Sequence, residues 1–394
     1  MMTTVISSIA RTPIGRFSGA FTPMTAMDLG AAAITGALDR SGLDGTTVDE
    51  IIFGHVLQAG MGQITSRQAA NKAGIPMTVP STTVNKVCLS GMTAIADADR
   101  RVRLGEAKFV VAGGMESMTN APYILHGARS GLRIGDATLV DSMQHDGLFC
   151  AFDSCTMGES SDRRNDVLGI TREEQDELAA ASHARAQAAT ESQAFKDEIV
   201  PVPVPQRRGD PVIVDTDEGI RPGTTVESLS KLRPAFLSDG TITAGNASQI
   251  SDGAAAVVVA DEQAAEGAGL PILARVIAYG QTSGPDATLH ERPAEALRVA
   301  LKKTDLSPSD LHLIEINEAF ASVGLWSARL LDIDMDKVNV HGGAIALGHP
   351  LGATGARIVV TLINALRARG GGIGAAALCG GGGQGDAIVV EVPA

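Results

Sequence analysis

Cys88 is the residue of this chain whose sequence context best suits a nucleophile. It lies in the stretch Val84 to Met92, where an extended run turns into a predicted helix. The free N–H groups and the positive dipole end at a helix start stabilise a thiolate. An ordinary thiol, with a pKa of about 8.5, is mostly protonated at neutral pH and needs such help. We therefore predict that Cys88 is a nucleophile; the alternative is a small buried structural cysteine.

His349 is the candidate base for that thiol. It stands in the glycine-rich stretch His341 to Gly355, just before a predicted helix that starts near Ala353. Neighbouring glycine and proline residues fix the backbone and permit close approach of a ligand. A neutral imidazole is the usual base for a catalytic thiol. The alternative for His349 is a position in a surface loop.

A second thiol, Cys379, ends the predicted strand Gly374 to Leu378 and precedes four glycines, Gly380 to Gly383. The exposed N–H groups of such a loop can form an oxyanion site beside the thiol. The alternative is a plain hairpin in which residues Asp386 to Val392 return beside the strand.

Asn317 directly follows another predicted strand, Leu313 to Ile316. Open α/β sheets place their sites at the carboxyl ends of strands, so the amide of Asn317 is a candidate site group. A simple turn residue is the alternative.

The elements around these residues occur twice in the chain. The apolar pattern of a helix, a turn and a strand recurs without a gap, and three pairs of positions share one offset of 263 residues: Leu38 and Leu301, Leu43 and Leu306, Ile51 and Ile314. A repeat of this length is too long for a solenoid unit. We predict that residues 28–116 and 293–382 are two copies of one α/β unit, packed face to face.

A segment of different character separates the two copies. It contains a charged predicted helix, Thr171 to Gln193, a strand-like run, Val200 to Pro205, and a run that we predict to be an exposed loop, Asp217 to Pro222. Insertions of this size commonly hold a substrate or cover a site. We predict three parts: a first half over residues 1–119 that is completed by 246–270, an inserted loop domain over 120–245, and a second half over 271–394.

The composition narrows the class of protein and of partner. With 394 residues, 44% of them hydrophobic, the chain can bury a large core. The net charge of −13 argues against nucleic acid or an anionic membrane as a general partner, but it leaves room for a local basic pocket. The four cysteines lack zinc-ligand spacing, and neither a signal-peptide pattern nor an apolar run of about 18 residues occurs. We expect a cytoplasmic protein with no metal.

Taken together, these motifs resemble those of the thiolase family along nearly the whole chain. Seven stretches carry the resemblance in the family's order: Val84–Met92, Gly113–Met118, Arg221–Phe236, Thr243–Ala256, Asn317–Ala321, Asn339–Arg357 and Cys379–Gly385. The resemblance implies a five-layer αβαβα fold made of two duplicated halves with an inserted loop domain. It also implies an acyltransferase that assembles as a homotetramer, a dimer of dimers.

The resemblance assigns a role to each candidate site residue. Cys88 is acylated by an acyl-CoA, and His349 activates its thiol. Cys379 shuttles the α-proton of the second thioester. Asn317 holds a water that shares one oxyanion hole with His349, and the backbone N–H groups of Cys88 and Gly381 form the other. These roles agree with the chemistry, because an enolate needs electrostatic stabilisation and a base distinct from the acylated thiol.

Coenzyme A is implied as substrate and product, with no further cofactor. Matching family positions put Arg221 and Ser228 near the nucleotide and Ser248 near the pantetheine, and they line the channel with Leu148, Met157, Phe236, Ala244 and Phe320. Two departures stand out. Short-chain members tend to have His-Met-Gly where this chain reads Thr156-Met157-Gly158. The family's Asn-Asp-Gly-Ala-Ala-Ala motif begins here with Ser251 in place of the Asn.

We expect condensation of two acetyl-CoA molecules to acetoacetyl-CoA and CoA, together with the reverse thiolysis. The alternative is a 3-ketoacyl-CoA thiolase that acts on longer chains in fatty-acid β-oxidation. A non-catalytic acyl-CoA carrier should lack one of the reactive residues, whereas all four are present. A ketosynthase generally has a histidine at the position of Cys379.

Overall fold

The computed structural model describes residues 2–394. In the first half, strands and helices alternate. Its elements are β1 (Thr4–Arg11), β2 (Gly15–Arg16), α1 (Ala26–Ser41), β3 (Glu50–Gly54), α2 (Thr65–Lys72), β4 (Ser81–Val84), α3 (Ser90–Arg103) and β5 (Phe109–Ser117). Local signals set these bounds: Thr25 and Asp28 form a capping box at the start of α1, and Gly42 ends the helix in a left-handed conformation.

The inserted segment contains short hairpins and two longer helices. Its elements are β6 (Tyr123–Leu125), β7 (Leu139–Asp141), β8 (Phe149–Cys150), β9 (Cys155–Thr156), α4 (Met157–Leu168), α5 (Arg172–Glu191), β10 (Val202–Val204), β11 (Val212–Val214) and α6 (Val226–Ser230). A π-helix at Met143–Leu148 precedes β8. The predicted charged helix is therefore α5, and the strand-like run is β10.

The chain then completes the first half and builds the second. The remaining elements are β12 (Ser251–Asp261), α7 (Glu262–Gly267), β13 (Ala274–Ser283), α8 (Arg292–Leu301), β14 (Leu313–Ile316), α9 (Ala321–Leu331), α10 (Ala344–Leu347), α11 (Leu351–Arg367), β15 (Gly372–Gly380) and β16 (Gln384–Val392). Short 3₁₀ turns lie at Gly45–Thr47, Ala128–Ser130, Pro308–Asp310 and Met335–Lys337.

The strand order shows the duplication directly. The main sheet runs β14-β15-β16-β13-β1-β12-β5-β3-β4, with β2 paired to β12. Read outward from the centre, β1, β12, β5 and β3 of the first half correspond to β13, β16, β15 and β14 of the second, and the first half adds β4 at its edge. The corresponding strands β5 and β15 are both nine residues long. The halves meet where β1 pairs with β13 through Val5 opposite Arg275 and Ile6 opposite Ala274.

Three hydrophobic clusters define five layers. The central cluster contains side chains of α3 and α11 together with strand residues of both halves. The second packs α1 and α2 on the outer face of the first half, and the third packs α8 and α9 on the outer face of the second. Along β12, Ala255, Val257 and Val259 face the centre, while Ala254, Ala256 and Val258 face outward. Because both faces are covered, this strand reads as a continuous apolar run.

Glycines let α3 and α11 approach each other's backbone in the central layer. A Cβ at Gly355 of α11 would lie 2.4 Å from the backbone N of Met92, and one at Gly91 of α3 would lie 2.8 Å from that of Ala356. A Cβ at Gly114 of β5 would lie 1.9 Å from the carbonyl O of Gly352. The central helices can therefore bring their N-terminal ends, and the residues beside them, close together.

A buried ion-pair network joins the inserted segment to the first half. Arg11 at the end of β1 pairs with Glu198 at 2.6 Å and with Asp217 at 2.7 Å. The prediction of an exposed loop over Asp217 to Pro222 is therefore wrong at its start, since Asp217 and Gly219 are buried. A buried charge requires a partner, and Arg11 provides one from a position 206 residues away.

No helix within residues 2–394 combines the length and the apolar character needed to cross a bilayer.

Gly355→Ala should destabilise the protein, although alanine is the better helix former, because the added methyl group would overlap the backbone of Met92. Overpacking of this kind lowers the free energy of unfolding by about 1–3 kcal/mol. The matched control is Gly267→Ala in α7, where nothing lies within 4 Å of the added Cβ. Thermal unfolding of both variants tests the packing argument. Equal midpoints for the two variants would contradict it.

Candidate active site

Cys88 lies on a strained turn between β4 and α3. Val87, directly before it, has a φ of 51°, which a β-branched residue rarely adopts. Ser90 holds this turn, since its hydroxyl accepts from the backbone N–H of Lys86 at 2.8 Å and donates to the carbonyl of Val87 at 2.6 Å. Strain of this kind persists where the surroundings fix the chain, and it is common at functional sites. The turn held by Ser90 therefore fixes the position of the Cys88 thiol.

The electrostatics of Cys88 differ from those predicted. Burial raises the pKa of its thiol to about 12, although hydrogen bonds from the backbone N–H groups of Cys88 itself and of Gly381 oppose this shift. The charge of Glu116 raises the pKa further. The predicted net stabilisation of the thiolate at the helix start is therefore wrong, because burial outweighs these N–H groups. The resting thiol is protonated, so a base must act during the reaction.

His349 lies just before α11 and has the properties of such a base. Burial, and then the charge of Arg357, lower the pKa of its imidazole to about 3, so the ring is neutral near pH 7. Its Nδ1 lies 2.6 Å from the hydroxyl of Thr354, which is also 2.9 Å from the carbonyl of Pro350. Because the hydroxyl donates to that carbonyl, it accepts from Nδ1–H, and this tautomer leaves Nε2 unprotonated and able to accept a proton. Within residues 2–394 the buried Nε2 has no hydrogen-bond partner.

Asn317 also carries unpaired polar atoms. Both its amide nitrogen and its amide oxygen are buried without a partner in the described part of the chain. Buried polar groups are nearly always hydrogen-bonded, so this pair marks a place for a water or a ligand. The next residue, Glu318, fixes the turn: its carboxylate accepts from Asn339 at 2.8 Å, Ser182 at 2.8 Å and the N–H of Ile345 at 3.1 Å. The segment after β14 is thereby tied to α10, which leads into His349.

Cys379 lies on β15 and is buried beside Cys88. Burial raises the pKa of its thiol above the ordinary range, and the neighbouring Cys88 raises it further. The hairpin that carries Cys379 rests on the Cys88 turn, because a Cβ at Gly380 would lie 2.5 Å from Leu89, and one at Gly381 would lie 3.4 Å from Val87. One thiol comes from each half. The structure therefore brings together the two thiols that the sequence singled out.

A cavity of about 480 Å³ lies near these thiols, although Cys88, Cys379, His349 and Asn317 are not among the residues that line it. Every predicted substrate contact except Ser228 lines it, namely Leu148, Met157, Arg221, Phe236, Ala244, Ser248 and Phe320. Ser228 lies outside the lining, and its hydroxyl takes part in the capping box of α6. The inner wall approaches both thiols, since Met157 and Phe320 pack in one cluster with Cys379 and Leu148 packs in another with Cys88.

Two aromatic rings shape the inner wall of the cavity. Phe236 and Phe320 meet edge to face, with 6.0 Å between ring centroids. A Cβ at Gly158 would lie 2.3 Å from the ring of Phe236, so this arrangement requires a glycine there. Thr156, at the departure from the short-chain pattern, caps α4 by accepting from the N–H of Glu159 at 3.2 Å.

The sequence reasoning missed several contributors. Arg16, which ends β2, and Phe17, which follows it, also line the cavity. The sequence signal that could have identified them is a basic residue next to an aromatic residue in an acidic chain. His183 of α5 accepts from the backbone N–H of Arg221 at 3.2 Å. Burial and the charge of Arg221 lower the pKa of His183 to about 4, so its imidazole is a neutral acceptor.

Comparison with known proteins adds independent evidence. Sequence models described as "Thiolase, N-terminal domain" and "Thiolase, C-terminal domain" match residues 4–263 and 270–392. A probable acetyl-CoA acetyltransferase of Mycobacterium tuberculosis is 52% identical over 391 residues, which cover 99% of this chain and 100% of that protein. An acetyl-CoA acetyltransferase of Pseudomonas aeruginosa is 50% identical over 390 residues, which cover 99% of each.

The fold also matches a solved structure. The crystal structure of the Bacillus anthracis acetyl-CoA acetyltransferase superposes with a TM-score of 0.97 over 100% of this chain and 99% of that one, at 42% sequence identity. The predicted resemblance and the predicted fold class are confirmed, and the chain belongs to the thiolase family.

Proposed function

We propose that this chain is an acetyl-CoA C-acetyltransferase, which condenses two acetyl-CoA molecules to acetoacetyl-CoA and CoA and catalyses the reverse thiolysis. One observation carries the proposal. Two buried thiols, one from each half, lie beside each other, residues of the cavity wall pack in the same apolar clusters as each thiol, and the thiol of Cys88 faces N–H groups of both halves. Relatives at about 50% identity carry the name acetyl-CoA acetyltransferase, which supports the same activity.

In the first step, the Nε2 of His349 takes the proton of Cys88 while the sulfur attacks the thioester carbonyl of acetyl-CoA. A carbon–sulfur bond forms to Cys88, the bond to the CoA sulfur breaks, and the proton passes to the departing thiolate. A pKa of about 12 for the thiol and about 3 for the imidazole makes full proton transfer unfavourable before attack. Transfer therefore accompanies bond formation. The N–H groups of Cys88 and Gly381 stabilise the oxyanion.

In the second step, Cys379 passes its proton to the Nε2 of His349 and, as the thiolate, removes an α-proton from another acetyl-CoA. The resulting carbanion attacks the acetyl group on Cys88. The new carbon–carbon bond releases the sulfur of Cys88, which takes the proton from His349. The enolate oxygen needs donors that the ground state does not use. The unpaired Nε2 of His349, once protonated, and a water held by the unpaired amide of Asn317 meet that need.

The cavity supports coenzyme A as the partner. Its outer part carries two arginines, Arg16 and Arg221, in a chain whose net charge is −13. Within residues 2–394 neither guanidinium pairs with a carboxylate, so both are available to a polyanionic nucleotide. Ser248 lies deeper, and its backbone N–H is already bonded to the carbonyl of Ala319. Its hydroxyl is left to meet the pantetheine.

Assembly and location complete the proposal. The β6–β7 hairpin exposes several large apolar side chains, including Tyr123 at 65%, Leu139 at 60% and Ile134 at 99%. Such a patch fits burial against another copy, which supports a homotetramer that light scattering can distinguish from a dimer. All four cysteines are free thiols, which fits a reducing cytoplasm. A role in fatty-acid metabolism follows from the reaction.

Mass spectrometry of enzyme mixed with acetyl-CoA tests the division of labour between the two thiols. Cys88→Ala should abolish both the acetyl adduct and turnover. Cys379→Ser should still form the adduct on Cys88 but should lose condensation by about 10²–10⁴-fold, the contribution of a general base. Cys150→Ser, which removes a buried cysteine elsewhere, is the control and should keep both. An adduct on Cys379 in place of Cys88 would reverse the assigned roles.

Turnover across chain lengths separates this proposal from a β-oxidation thiolase. Because Met157 and Phe320 narrow the inner cavity, acetoacetyl-CoA should be cleaved well and 3-ketodecanoyl-CoA poorly. Met157→Ala should raise the relative turnover of the longer substrate by about 10-fold, since a few apolar contacts are worth about 1–3 kcal/mol. Better cleavage of 3-ketodecanoyl-CoA than of acetoacetyl-CoA by the unmodified enzyme would favour the alternative.

A further inference from the structure

The oxyanion site beside Cys88 is assembled from two distant parts of the chain. One N–H belongs to Cys88, on the turn after β4, and the other belongs to Gly381, in the hairpin between β15 and β16. Removing or misplacing a single donor in such a site commonly lowers the rate by about 10²–10³-fold. Something must therefore fix the distance between the turn and the hairpin.

One ion pair spans these two parts of the chain. The Nζ of Lys86 lies 2.7 Å from an oxygen of Asp386, and the two residues are 300 positions apart. Lys86 is two residues before Cys88. Asp386 is fully buried on β16, directly opposite Leu378, the residue before Cys379. The pair thus links the turn that carries the first thiol to the hairpin that carries the second.

The carboxylate of Asp386 is held on both sides. Its other oxygen accepts from the hydroxyl of Thr93 at 2.9 Å, and Thr93 belongs to α3, the helix that follows Cys88. The apolar contacts of Gly380 with Leu89 and of Gly381 with Val87 set how closely the hairpin can approach, but they do not fix how far it can slide. A directional pair between a buried carboxylate and an ammonium supplies that restraint.

We propose that Lys86 is a positioning residue: through Asp386 it holds the Gly381 N–H against the sulfur of Cys88. Lys86 acts by geometry. The Gly381 N–H that it positions is one of the two N–H groups that lower the pKa of Cys88. The kinetic part of this inference rests on the proposed function, whereas the part that concerns the thiol does not.

Lys86→Met tests the inference through two readouts. The first is the rate of Cys88 alkylation by iodoacetamide against pH, followed by mass spectrometry, with no CoA substrate present. Loss of the Gly381 hydrogen bond should move the alkylation profile to higher pH, because that N–H lowers the pKa of Cys88. The neighbouring Glu116, His349 and Cys379 are unchanged. The second readout is kinetic: kcat should fall about 10–100-fold, with KM for acetyl-CoA little changed.

Three further variants keep the result interpretable. Lys86→Arg retains the charge and the reach, and should restore most of the alkylation profile. Asp386→Asn keeps the Thr93 contact but removes the ion pair with Lys86, and it should also move the alkylation profile to higher pH. Lys72→Met, which breaks an exposed pair with Asp28 at 2.8 Å, is the matched control and should leave both readouts unchanged.

A folded Lys86→Met protein with the alkylation profile of the unmodified enzyme would overturn the inference, whatever its turnover. The inference would also be overturned if the alkylation profiles of Lys86→Met and Lys72→Met shifted by the same amount. Failure of the unmodified enzyme to turn over acetyl-CoA would instead count against the proposed function. The substrate-free alkylation profile would then still decide whether Lys86 positions Gly381.

Discussion

Burial of Cys88, His349 and Cys379 away from water is the constraint on which the rest of the site depends. Desolvation raises the pKa of both thiols and lowers that of the imidazole, so all three groups are uncharged near neutral pH. Charge then develops only when a thioester is in place, and the N–H groups and unpaired polar atoms around it are already oriented. Preorganised donors in a low-dielectric site are worth far more than the same donors in water. A resting thiolate, by contrast, would be open to oxidation and alkylation.

The duplicated fold provides that burial. Each half brings a helix, α3 or α11, into the shared central layer, and glycines allow the two backbones to approach closely. Cys88 precedes α3 and His349 precedes α11, while Cys379 and Asn317 lie at the ends of β15 and β14. The groups to which we assign the reaction therefore come from both copies, and neither copy alone contains the proposed site. The inserted segment covers this junction and supplies most of the cavity wall.

Much of this arrangement could be read from the sequence, because its signals are local. The constant offset between Leu38 and Leu301 predicted two copies, and glycine-rich stretches around His349 and Cys379 marked close approach. Contacts between distant segments could not be read. The sequence near Asp217 does not show that it forms a buried ion pair with Arg11, and the sequence near Lys86 does not show that it pairs with Asp386. The sign of the Cys88 pKa shift was also missed, since a helix start is visible in a sequence while the depth of burial is not.

Whether Cys88 is a thiol or a thiolate in the substrate-free enzyme shows whether burial outweighs the helix start. Ultraviolet absorbance reports thiolate, and a variant with Cys150, Cys155 and Cys379 changed to serine leaves Cys88 as the sole thiol. Because burial raises its pKa to about 12, the substrate-free protein should show no thiolate signal from neutral pH up to about pH 10. The same variant with Cys88→Ala provides the baseline. A thiolate signal at neutral pH would show that the helix start outweighs burial and would contradict this account.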